Sequence, residues 1–143
     1  MWNYKREEAP KLEPGDYRVA IANVEESTSR AGNPMLIITV QPNGSNIKIK
    51  HYIVKNEYFN RNMTNFFDAF PEIDEGDFNF LGWIGCVGAA RLKEDDNGYL
   101  KVAYFLKPDK AANLPEWQGK RPERQTVTDI NIKADDPEDD LPF

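Results

Sequence analysis

Cysteine and histidine are almost missing from this chain of 143 residues. The one cysteine, Cys86, cannot form an intramolecular disulfide or a cysteine-based zinc site, and it suits a reducing compartment. The one histidine, His51, falls on the apolar side of an alternating run, where an imidazole is a packed core residue rather than a catalytic base. No apolar run is long enough to span a membrane, and Met1 to Glu8 lacks the apolar region of a secretory signal. A soluble cytoplasmic protein is therefore expected. A P-loop, a nucleophile elbow and a Cys–His pairing are absent too. Glu94 to Gly98 lacks the ligand spacing of a calcium loop, and Glu72, Asp74, Glu75 and Asp77 follow no metal motif. No enzyme activity, metal or cofactor is expected.

What is present is an uneven distribution of charge. The net charge of −6 argues against a nucleic-acid partner at first sight. Yet the last ten residues, Ala134 to Phe143, hold five acids and no base. Without them the chain carries 18 basic and 19 acidic side chains, a net of −1. A near-neutral body is compatible with a basic groove. The terminal block of like charge, with two prolines, cannot bury a core and is expected to be disordered. It ends on apolar Leu141-Pro142-Phe143, which has no use in a tail that only confers solubility. A ring, a stiff proline and flanking carboxylates are what a docking peptide presents to a basic pocket.

Residues 1–14 read as an arm, with Trp2 expected to pack against the body. The alternative is a nucleic-acid contact through Trp2, Tyr4, Lys5 and Arg6. From Gly15 to Glu25 the apolar phase switches between Ile21 and Val24, which predicts a strand with a bulge. A loop rich in turn formers, Ser27 to Pro34, leads to a second strand, Met35 to Gln41. After the turn Pro42 to Ser45 comes a third strand, Ile47 to Val54. There Ile47, Ile49, His51 and Ile53 share one face, and Lys48, Lys50, Tyr52 and Val54 the other. Phe59, Met63, Phe66, Phe67 and Phe70 recur at helical spacing, giving a helix over Glu57 to Phe70 with Asn56 as N-cap. Gly82 to Lys93 reads as a fourth strand, with glycines marking bends or close approach. Asp95 to Gly98 is a hairpin turn. In the fifth strand, Tyr99 to Lys107, Tyr99, Lys101, Ala103 and Phe105 share a face. Residues 109–143 read as a polar linker and tail, with Trp117 an exposed exception.

Three strands, a helix and two strands are the element order of the OB-fold, a five-stranded Greek-key barrel with its helix between strands three and four. The bulge and the glycines suit a small curved barrel. The expected organisation is an arm over 1–14, an OB-fold domain over 15–108, and a linker with an acidic tail over 109–143.

The tip Asp139-Asp140-Leu141-Pro142-Phe143 resembles the C-terminal tip of bacterial and phage single-stranded-DNA-binding proteins (SSBs). Their tails end in Asp-Asp-Ile-Pro-Phe or close variants; Leu141 stands for the Ile here. The runs Leu12 to Tyr17 and Ser29 to Met35 also resemble a family of phage and prophage SSB-like OB-fold proteins encoded among replication and recombination genes. Arg30 stands there for the commoner Lys and Asp16 for the commoner Glu. The resemblance implies sequence-independent binding of single-stranded DNA in the cytoplasm of a bacterial host. It also implies recruitment of replication or recombination proteins through Asp135, Asp136, Glu138, Asp139, Asp140, Leu141, Pro142 and Phe143. A protein-interaction adaptor without direct DNA binding, or a strand-annealing recombination protein, are the alternative readings. A homodimer is compatible with the strand edges of so small a barrel.

Binding single strands needs cations along the phosphates and aromatic faces for the bases. OB-folds place both on strands two and three and the flanking loops. The candidate surface is Lys48, Lys50 and Tyr52. Arg30 joins it from the first loop, and Arg91, Lys93, Tyr99 and Lys101 from around the last hairpin. Trp83 and Phe105 are further stacking candidates, although both also read as core.

Overall fold

The computed structural model describes residues 2–6 and 12–123. The acidic tip, Asp135 to Phe143, lies outside the described residues. The elements are β1 (Gly15–Thr28), β2 (Pro34–Pro42), β3 (Ile49–Val54), α1 (Phe59–Ala69), β4 (Val87–Glu94) and β5 (Leu100–Leu106), with a short 3-10 turn at Phe80–Trp83 before β4. The strands form one antiparallel sheet in the order β3-β2-β1-β4-β5. The sheet curls into a half-barrel that brings its edge strands, β3 and β5, near each other. The ring of His51 on β3 meets Phe105 on β5 edge-on, with centroids 5.1 Å apart. Among the described residues no helix is long and apolar enough to cross a membrane.

Two bulges give the sheet its curl. In β1 the partner register on β2 skips a residue between Ile21 and Asn23, where the apolar phase of the sequence switches. Before the bulge Val19 and Ile21 face inward; after it Val24 does. The second bulge was not legible. The β4–β5 register slips between Arg91 and Leu92, so that Leu92 faces Val102 and Arg91 faces Tyr104, with Ala103 the extra residue. Beyond it the alternation of β5 inverts. Phe105 turns into the core, while Tyr104 and Leu106 turn outward.

The helix closes one side of the half-barrel. Met63, Phe66, Phe67 and Phe70 fall at i, i+3, i+4 and i+7 and are buried. Phe66 and Phe70 lie against Phe105, and Phe66 against Trp83, with centroids 4.8–5.7 Å apart. Asn56 is not the N-cap: the helix starts at Phe59 with Tyr58 in the cap position and no side-chain cap, and Asn56 Oδ1 instead accepts the Tyr58 N–H at 2.9 Å in the turn before it. The C-terminal end of α1 presses on β4 so closely that a Cβ at Gly88 would lie 2.6 Å from the Ala69 carbonyl oxygen. Gly88 is there because backbone meets backbone.

Residues 82–86 close the 3-10 turn and lead into β4 rather than starting it. That places Trp83 under the sheet, 1% exposed, its Nε1–H donating to the Asp77 carbonyl at 2.9 Å. The segment after β5, read as linker from its polarity, runs back over the outer face of the sheet. Ala111 is buried against Ala89 and Leu106. Arg18 donates from Nε to the Pro115 carbonyl and from Nη2 to the Ala111 and Leu114 carbonyls, at 2.9–3.3 Å. Asn43 bonds Glu116 and Gln118, and Arg121 grips Glu72 through both terminal nitrogens. Trp117 is accordingly half-buried rather than exposed. Most of these bonds fall on backbone carbonyls, which no side-chain pattern reports.

A candidate nucleic-acid interface

An open groove of about 440 Å³ runs between the start of β3 and the β4–β5 hairpin. Its residues are Leu12, Ile47, Lys48, Ile49, Lys50, Tyr52, Gly98, Tyr99, Leu100 and Lys101. Five of the ten sequence-derived candidates meet here: Lys48, Lys50, Tyr52, Tyr99 and Lys101. Alternation on β3 turns Lys50 and Tyr52 outward while Ile49 and Ile53 point into the core. Across the groove the hairpin turn is fixed by Asp95. Its Oδ1 accepts the N–H groups of Asn97 and Tyr99, and its own N–H donates to the Tyr99 carbonyl at 2.8 Å. This aims Tyr99 and Lys101, two residues apart, from the opposite wall.

The chemistry of the groove is uniform. Three ammonium groups and two phenol rings surround an apolar floor, and no acidic side chain is among the lining residues. Tyr52 is 48% exposed and Tyr99 67% exposed, so each ring offers a face to an incoming group. Lys93 stands directly opposite Lys101 across the β4–β5 ladder. Like charges in directly opposed cross-strand positions disfavour the folded state. An anion lying between them removes that repulsion. Leu12, Ile47, Ile49, Gly98 and Leu100 line the groove besides those candidates. Ile47 falls in step with the core alternation, but β3 begins only at Ile49, which leaves Ile47 on the surface.

The other candidates stand elsewhere. Trp83 is in the core, and Phe105 is turned inward by the bulge at Ala103 into the rings of α1. Neither offers a face to a base. Arg91 is on the outer face of β4, engaged by Asp16 through both carboxylate oxygens and lying over the Tyr104 ring. The hydrogen bond from Arg91 holds the Asp16 carboxyl below its ordinary pKa, and the same bond raises Arg91. Arg30 sits in the β1–β2 loop, closed by the Ser29 N–H on the Asn33 carbonyl at 2.8 Å. Met35 pairs with Val54, so this loop lies at the far end of β3 from Lys50. A second, more apolar cleft of about 340 Å³ opens at that far end, lined in part by Met35, Lys55, Phe59, Phe78 and Phe80.

His51 faces the core side of β3, and burial pushes its imidazole down to about pKa 4. It is neutral at neutral pH and adds no charge to the groove. Among the described residues no three His, Cys, Asp or Glu side chains come together as metal ligands. Compared with known proteins, the chain matches no protein-family model and no curated sequence, so the reading of the groove rests on its own geometry.

Proposed function

We propose that the protein binds single-stranded DNA without sequence preference, as a phage-type SSB acting in DNA replication or recombination on an OB-fold scaffold. The observation that carries this reading is the groove. Lys48, Lys50 and Lys101 supply cations for successive phosphates, and Tyr52 and Tyr99 supply two ring faces for bases. Stacking tolerates any base, and an open groove imposes no shape on one, so the contacts select strandedness rather than sequence. A duplex hides the faces that the tyrosines would take. The strand order, with β1 between β2 and β4 and with β3 near β5, is the order an OB barrel needs. The tip Asp139 to Phe143 then brings partner proteins to the coated strand.

The test is a fluorescence-anisotropy titration with labelled oligo-dT and its duplex at two salt concentrations. Binding of the single strand over the duplex, weakening with salt, is expected. Tyr52→Ala should weaken it by about tenfold, in keeping with the ~1–3 kcal/mol of a base–aromatic stack, at an unchanged melting temperature. No binding of the single strand at low salt, even after removal of Asp135 to Phe143, overturns the reading. The apolar cleft beside Phe78 and Lys55 favours the adaptor reading in that event, because it is a surface suited to a protein side chain.

A further inference from the structure

Trp2 and Tyr4 are the most exposed large hydrophobic side chains of the described residues, at 99% and 87%. The aromatic character of Trp2 predicts packing against the body, but the side chain stands clear of it. A tryptophan left wholly in water forgoes the burial that usually justifies so large a ring. Beside these rings stands Lys5, also exposed. Two alternate aromatic positions followed by a cation repeat, on an exposed stretch outside the sheet, the chemistry of the groove wall. In an extended chain Trp2 and Tyr4 point to the same side.

The arm also enters the body at the groove. Leu12, where the described chain resumes, is one of the groove's lining residues. Trp2 and Leu12 are ten residue steps apart, a reach of at most ~35 Å when fully extended. Trp2 and Tyr4 are therefore tethered within range of anything lying along Lys48, Lys50 and Tyr52.

We propose that residues 2–5 are a second single-strand-binding element, in which Trp2 and Tyr4 stack on bases of a strand that already occupies the groove and Lys5 meets its backbone. The inference rests on the function proposed for the groove. It adds a distinct consequence: the arm engages nucleotides beyond those the groove holds, so it matters only for strands long enough to leave the groove. It also accounts for the exposure, since the rings have their partner only in the complex.

The test compares the wild-type chain with W2A/Y4A on labelled oligo-dT of about four and about sixteen nucleotides, the range of site sizes for one OB-type barrel. The variant should bind the longer strand at least about tenfold more weakly, as the loss of one or two stacks requires, and bind the shorter one as wild type does. Trp2→Phe should keep the affinity, because a ring remains, and should lose most of the tryptophan quenching that the longer strand produces. Equal affinities of wild type and W2A/Y4A on both lengths overturn the proposal, as does an equal loss on both. If the wild type binds and Tyr52→Ala weakens it while W2A/Y4A does not, the arm alone is wrong. If the wild type binds neither strand, the groove reading and the arm fall together.

Discussion

Around the seam between β3 and β5 the aromatic rings sort by chemistry. On the inner side Phe66, Phe70, Phe105 and Trp83 form one contiguous cluster, and Trp83 satisfies its single polar group within the fold. On the outer side, a few ångströms of backbone away, the rings are Tyr52 and Tyr99, each exposed on a wall of the groove. The phenol is the ring that can stand in water, because its hydroxyl remains hydrated while its face is kept free. The inner set stabilises the fold and the outer set is available to a ligand. Variants of one set should therefore leave the property of the other untouched.

The strongest way to break that division is Phe66→Ala. Phe66 is fully buried and touches four other rings. Its removal should cost about 3–5 kcal/mol of stability, read from urea denaturation. At a temperature where the variant is still folded, its affinity for oligo-dT should equal that of wild type. A loss of affinity in the folded variant would show that the inner rings hold the groove in shape and that the two sets are one system.

The same contrast marks what was legible in the sequence. In β3 the strand is regular, so period-two alternation put Lys50 and Tyr52 on one face and Ile49 and Ile53 on the other, as the structure has them. In β5 the same alternation put Phe105 beside Tyr99 and Lys101. It fails there because Ala103 is an extra residue opposite β4, and a one-residue slip moves every later side chain to the other face. The β1 bulge was legible because its apolar residues change phase; Ala103, small and neutral on either face, leaves no such mark. Helix α1 was plain from its Phe spacing. The anchoring of residues 109–118 was not, because Arg18 grips carbonyls that every residue carries. Trp83 was misplaced for a related reason: the glycines around it mark turns in the chain, and the strand begins only at Val87. The groove itself was half legible. Its cations and tyrosines come from alternation and a hairpin turn, whereas its floor depends on where β3 starts.

His51 lies at the boundary between the two ring sets and offers a second, smaller test. Its imidazole is held neutral by burial, with a folded pKa of about 4 against an ordinary value of 6.5. The folded pKa is depressed, and for a base this means that protons favour the unfolded chain. The stabilisation is fully present above pH 6.5 and is lost as pH falls from 6.5 to about 4, below which both states are protonated. The loss should reach on the order of 3 kcal/mol. As the chain has a single histidine, the part of this window above about pH 5, where ordinary carboxylates stay ionised, belongs to His51. Asp16 contributes at lower pH, because its carboxyl is held below its ordinary value by Arg91. Urea midpoints measured between pH 7 and pH 4.5 should fall for wild type and stay flatter for His51→Leu. A flat wild-type profile would place the imidazole in water and open the seam between β3 and β5.

The smallest effect separates the cations of the groove from those elsewhere. Each phosphate that a lysine neutralises on a single strand adds about 0.7 to the slope of log affinity against log salt. Lys50→Gln and Lys101→Gln should each lower that slope by about this amount, because both side chains line the groove with no acid among its residues. Lys107→Gln should leave it unchanged: Lys107 is outside the groove and its Nζ stands 3.9 Å from the Asp68 carboxylate. Lys93 decides between two geometries. It faces Lys101 across the ladder but is not among the lining residues. If Lys93→Gln lowers the slope as Lys101→Gln does, the strand passes over the β4–β5 hairpin and both lysines share a phosphate path. If it leaves the slope alone and raises the melting temperature, the pair is only a repulsion in the fold, and the bound strand is confined to the side of Tyr52.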